Sequence, residues 1–125
     1  MISILERHRW FSWTITLIIA LTIFYISSLT FLPPPVGPPS INATVYHISA
    51  FFFLAIFLFT SALDRKWNFK KIILSILIVS VYAALDEIHQ FFVPGRYMSF
   101  NDFLLDFTGI AVASLFYFIL ILSKK

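Results

Sequence analysis

The chain has 125 residues, of which 60% are hydrophobic and only 12% are charged, and its nine Lys and Arg residues against six Asp and Glu residues give a net charge of +3. A soluble domain carries about 25% charged residues, so this chain has too few polar groups to cover a water-exposed surface, and lipid must surround most of it. It contains no cysteine, which excludes disulfides, thiolate catalysis and cysteine-ligated metal sites.

Four apolar stretches are long enough to cross a bilayer, which takes about 20 residues of helix. They cover residues 10–32, 43–63, 72–93 and 102–122, and charged residues lie near their ends. The sequence therefore predicts a single all-α domain, a bundle of four transmembrane helices joined by short loops.

The third stretch leaves an alternative open. Its uncharged part, residues 72–85, is short enough for a re-entrant segment. The apolar residues 91–93 follow its polar section, however, and they favour a full span with a polar outer third.

The basic residues set the expected orientation, because Lys and Arg in short loops lie on the cytoplasmic side. The N-terminus, the loop between the second and third stretches and the C-terminus hold eight of the nine, and Arg96 is the ninth. Four spans place these three segments on one face, which predicts a plasma-membrane protein with both termini in the cytoplasm. The basic residues form no patch with interleaved aromatic residues, which excludes nucleic acid as a partner.

The polar residues within the spans collect near the predicted outer face. Four of the six acidic residues lie between positions 86 and 106. A rise of about 1.5 Å per residue puts Asp86, Asp106 and His47 about 6–10 Å below the outer surface. Ionisable groups at such depth are costly and usually face the protein interior or a wet cavity. A functional site is therefore favoured over structural ion pairing.

Helical spacing predicts which of these side chains face inward. In the third stretch Asp86, His89 and Gln90 lie on one side, and Glu87 is expected to point well to the side. In the fourth, a stripe on one face is expected to pack closely below the site, and it consists of Asp102, Asp106, Gly109 and Ala113.

The loop before the fourth stretch is short and turn-forming. Ser99 or Asn101 is expected to cap the fourth helix. Arg96, the only basic side chain at this face, is expected to pair with one or two of the nearby acids.

The run from Asp86 to Arg96, D-E-I-H-Q-F-F-V-P-G-R, resembles the signature of VanZ-like membrane proteins. Its continuation through Ser99, Asp102, Asp106 and Gly109, together with Ser27-Ser28 and His47, is similar to that family's pattern. The resemblance implies an integral membrane protein of the cell envelope, and the founding member is associated with resistance to the glycopeptide teicoplanin. Thr44-Val45-Tyr46 stands where family members often carry a Lys before the histidine.

Two functions remain in competition. In the first, the outer site binds a lipid headgroup, a cell-wall precursor or a glycopeptide, through a set consisting of His47, Asp86, Glu87, His89, Gln90, Arg96, Ser99, Asp102 and Asp106. In the second, a membrane-embedded hydrolase or transferase acts on a lipid-linked substrate with Asp86, Glu87 and His47 as acid, base or metal ligands. No cofactor is predicted, although the residue types also suit a divalent metal ion. An ion pathway is disfavoured because the inner halves of the stretches lack ionisable residues.

Overall fold

The computed structural model describes residues 8–30, 37, 40–63 and 67–123. Its regular structure is helical, with α1 at Arg9–Ser27, α2 at Ile41–Ala62, α3 at Phe69–Phe91 and α4 at Phe100–Leu122. Five basic residues used to predict the orientation, and the proline-rich segment apart from Gly37, lie outside the described residues.

All four helices are long and apolar enough to cross a membrane, with 19 to 23 residues each. The prediction of an all-α protein with four membrane-spanning helices is therefore confirmed. α3 is one continuous helix of 23 residues, a length that fits a full span and not a re-entrant segment.

α1 ends at Ser27, five residues before the end of the apolar stretch at residue 32. The hydroxyls of Ser27 and Ser28 both donate to the carbonyl of Phe24, over 3.0 and 2.7 Å. Side-chain bonds of this kind compete with the helical backbone, and this serine pair lies at the last turn of α1.

Polar caps set the starts of the other three helices. The side chain of Ser40 accepts the backbone N–H of Ala43 at 3.1 Å, and Asn68 does the same for Lys71 at 3.0 Å. Ser99 accepts the backbone N–H of Asp102 at 3.2 Å, so Ser99 caps α4. Each cap satisfies one of the amides that a helix start leaves without a partner.

α2 forms the centre of the bundle and packs most extensively against α4. Its apolar core residues, Phe51, Leu54, Ala55 and Phe59, are buried among those of the other helices. Gly109 of α4 lies directly against the α2 backbone. This confirms the predicted close packing of the α4 stripe and fixes the start of α2 beside the start of α4.

Candidate functional site

One end of the bundle, here called the polar end, is where α1 and α3 finish and α2 and α4 begin. At its centre His47 Nδ1 lies 2.8 Å from Asp106 Oδ1. Asp106 is completely buried, and His47 is buried beside it. The other ring nitrogen of His47 lies 4.0 Å from Asp102 Oδ2. The predicted meeting of His47 and Asp106 is therefore present in the structure.

The expectation that Glu87 points to the side is wrong. Glu87 is only 3% exposed, and its Oε2 accepts the backbone N–H of Ser99 at 2.9 Å. One donor atom each from Glu87, His47 and Asp106 lies within 4.8 Å of the other two. The loop after α3 folds back over this helix end, so a side chain that helical spacing places off the inward face is still buried.

Asp86 joins this group through Gln90. The side-chain amide of Gln90 donates to Asp86 Oδ2 at 3.1 Å and lies 3.5 Å from Glu87 Oε1. Asp86 and Gln90 are both buried. The facing predicted for these two residues is correct, and Gln90 holds the two α3 carboxylates together.

Arg96 connects the loop after α3 to the end of α1. Its guanidinium donates to the carbonyls of Ile26 at 2.7 Å and Leu29 at 3.0 Å, and Nη1 lies 3.4 Å from Gln90 Oε1. Gly95 has φ +80°, the left-handed conformation that favours glycine, and it turns the chain just before Arg96. The guanidinium thus satisfies carbonyls that the end of α1 leaves free, while its pairing with the acids stays a prediction.

His89 faces α1 and not the His47–Asp106 pair. Its Nε2 is hydrogen-bonded to Ser28 Oγ at 2.9 Å, and its ring stacks on Phe24 with centroids 4.6 Å apart. His89 therefore joins α3 to the end of α1, beside the contacts of Arg96.

Sequence reasoning missed Tyr46, which lies next to the site. Its ring contacts the edge of His47, with ring centroids 5.5 Å apart. Its hydroxyl is buried and has no hydrogen-bond partner among the described residues. The sequence signal that could have indicated it is its position directly before His47, which places its hydroxyl at a similar depth in α2.

Two carboxylate oxygens, Asp86 Oδ1 and Asp106 Oδ2, are also buried and have no hydrogen-bond partner in the described part of the chain. Buried polar atoms normally have a partner, and a buried charge without one is costly. The polar end gathers four carboxyl groups around His47 and one guanidinium, so its chemistry favours a positively charged or N–H-donating ligand. The buried Asp106 also orients His47 as a carboxylate does in proton-transfer sites.

The model of the VanZ/LLP1 family matches residues 2–121 of the chain. The match includes every residue of the polar end described above. No curated protein and no solved structure matches the chain.

Proposed function

Because the chain belongs to the VanZ/LLP1 family and has four helices able to cross a membrane, we propose that it is a plasma-membrane protein that binds a cell-envelope component at its polar end. Both termini would lie in the cytoplasm and the polar end would face outward. The distribution of basic residues supports this orientation, since Arg96 is the only Lys or Arg in the two loops at the polar end.

The observation that carries the binding function is a pair of buried carboxylate oxygens, Asp86 Oδ1 and Asp106 Oδ2, which have no hydrogen-bond partner among the residues that the structure describes. A ligand that brings a positive charge or N–H donors to them would remove the cost of leaving them unpaired.

Three envelope components fit this description: a lipid headgroup, a cell-wall precursor and a glycopeptide. Each combines polar or charged groups with access from the outer membrane surface. The glycopeptide is included because the family's founding member is associated with teicoplanin resistance. A role in that resistance is part of the proposal.

A membrane-embedded hydrolase or transferase is the second candidate, and one contact favours it. His47 Nδ1 is held by the buried Asp106, which leaves Nε2 directed toward the less buried Asp102. A histidine held in this way can act as a general base. Turnover of a lipid-linked envelope substrate by the purified protein, abolished in His47→Gln, would establish this alternative.

The binding proposal is tested with Asp86→Asn, which keeps the shape of the side chain and removes its charge. We expect normal expression and folding, loss of envelope lipid co-purifying in native mass spectrometry, and loss of any teicoplanin resistance conferred on host cells. Glu87→Gln should act as strongly, because Glu87 is buried in the same group.

The matched control is Asp64→Asn, which removes an acidic residue that the sequence places in the loop after the second stretch. This variant should keep both the bound lipid and the resistance. If Asp86→Asn also keeps both, the polar end does not bind the envelope component.

A further inference from the structure

The centre of the polar end has the donor atoms of a metal site, and we infer that His47, Glu87 and Asp106 bind one divalent metal ion. The inference deepens the proposed function and rests on it for the role of the ion. The metal would be the positive group that the buried carboxylates require.

Geometry supports a shared ion. One donor atom from each of the three residues lies within 4.8 Å of the other two, and His47 Nδ1 is 2.8 Å from Asp106 Oδ1. Metal–ligand bonds of about 2.0–2.2 Å separate two donors on one ion by up to about 4 Å. A movement of the Glu87 carboxylate by roughly an ångström, which its long side chain allows, would bring all three donor atoms within metal-binding distance of one ion.

Burial and charge support it independently of the spacing. All three residues are buried, at 7%, 3% and 0% exposure for His47, Glu87 and Asp106. Asp106 Oδ2 has no hydrogen-bond partner among the described residues, although the other oxygen of this carboxylate contacts His47. Coordination of a cation is one of the few ways to stabilise a carboxylate at such burial.

The donor types indicate which metals fit. An imidazole suits zinc and other transition metals, and carboxylates also suit manganese. Magnesium and calcium prefer an all-oxygen set. One imidazole with two carboxylates therefore favours Zn²⁺ or Mn²⁺ over Mg²⁺ or Ca²⁺, and three protein ligands leave coordination positions open.

These open positions narrow the class of envelope component. The four carboxylates alone would repel an anionic headgroup, whereas a bound divalent ion would offset two of their charges and present open coordination positions. The polar end would then accept a phosphate- or carboxylate-bearing headgroup as a ligand of the metal. Asp102, whose Oδ2 lies 4.0 Å from His47 Nε2, is more exposed than His47.

The test uses the full-length protein, purified in detergent, stripped with a chelator and titrated calorimetrically with Zn²⁺, Mn²⁺, Mg²⁺ or Ca²⁺ alone. We expect one Zn²⁺ or Mn²⁺ per chain and much weaker binding of Mg²⁺ and Ca²⁺. Titration in two buffers of different ionisation enthalpy should show proton release, because histidine and carboxyl groups bind a metal in their deprotonated forms.

Glu87→Gln and Asp106→Asn should each weaken Zn²⁺ affinity at least about 100-fold, since even residues that only support metal ligands change affinity by about 10–100-fold. His8→Gln is the matched control, because it removes an exposed histidine at the opposite end of the bundle. It should bind Zn²⁺ as the wild type does. If Asp106→Asn does not fold, Glu87→Gln decides, because glutamine can still accept the Ser99 N–H.

The absence of stoichiometric Zn²⁺ or Mn²⁺ binding to the wild type would overturn the metal site. Unchanged affinity in Glu87→Gln, or lost affinity in His8→Gln, would also overturn it. These outcomes are separate from the proposed function. If the wild type binds no metal but Asp86→Asn loses the envelope lipid, the proposed binding function stands without the metal site. If the wild type binds metal and Asp86→Asn keeps the lipid, the metal site stands and only the proposed function fails.

Discussion

Gly109 lies where α4 packs directly against the backbone of α2, and the change Gly109→Ala tests this contact. A Cβ atom at this position would overlap the carbonyl oxygen of Ile48 and lie 3.0 Å from the amide nitrogen of Phe52, where ordinary contact begins at 3.4 Å. Both atoms belong to the helix backbone, so no side-chain rotation can relieve the overlap. The two helices must move apart.

The magnitude has two parts. Overpacking of this kind costs about 1–3 kcal/mol. Separation of α2 from α4 also lengthens the 2.8 Å contact between His47 and Asp106, and a weakened hydrogen bond adds about 1 kcal/mol. We therefore expect Gly109→Ala to lower the free energy of unfolding by about 2–4 kcal/mol. In a helix without such a contact, replacing glycine with alanine would stabilise by roughly 0.5–1 kcal/mol.

The assay is reversible unfolding in mixed detergent micelles, followed by circular dichroism. Ala111→Val is the control, because it adds bulk to the same helix at an exposed position, and it should change the free energy of unfolding by less than about 0.5 kcal/mol. An equal or higher free energy of unfolding for Gly109→Ala would show that α2 and α4 are not in backbone contact, and the position of His47 beside Asp106 would lose its support.

Three further predictions concern the contacts of Arg96, the orientation of the chain in the membrane and the packing of α2 on α4. Arg96→Ala should lower the free energy of unfolding by about 1.5–3 kcal/mol, because it leaves two α1 carbonyls without a charged donor. Arg96→Lys should restore only part of this loss. An unchanged free energy of unfolding in both variants would mean that water replaces the guanidinium contacts. Cysteine at Tyr97 should react with an impermeant thiol reagent in intact cells and cysteine at Asn68 should not, and reaction at position 68 would overturn the orientation. Cysteines at His47 and Asp106 should crosslink with a short bifunctional reagent, and failure to do so would contradict the packing of α2 on α4.

The fold was readable from the sequence because membrane helices need long apolar runs with charged ends. The four spans and the VanZ-like family are both confirmed. The end of α1 at Ser27 could not be read from composition, because the apolar stretch continues past Ser28.

The positions of the polar side chains were predicted correctly where a residue faces one neighbouring helix. Asp106 and His47 follow their helical stripes and meet. Glu87 did not follow the prediction, because the end of α3 is covered on a second side by the loop that carries Ser99. Helical spacing predicts which face of a helix is buried against its neighbours, but it takes no account of a loop that folds back over the helix end. The contact of Arg96 with the α1 carbonyls spans about 70 residues of sequence, and no local pattern could indicate it.

The arrangement of partners around the polar end has a consequence for biosynthesis. A carboxylate that enters the bilayer alone costs about 2.5–3.5 kcal/mol on insertion scales. Ser99, whose amide Glu87 accepts, follows it by only 12 residues, so α3 and the start of α4 can enter as a hairpin that carries its own partner. His47 is made 59 residues before Asp106 and is already in the membrane when α4 arrives. The order of synthesis thus supplies a partner to each of these two acids at the moment of its insertion.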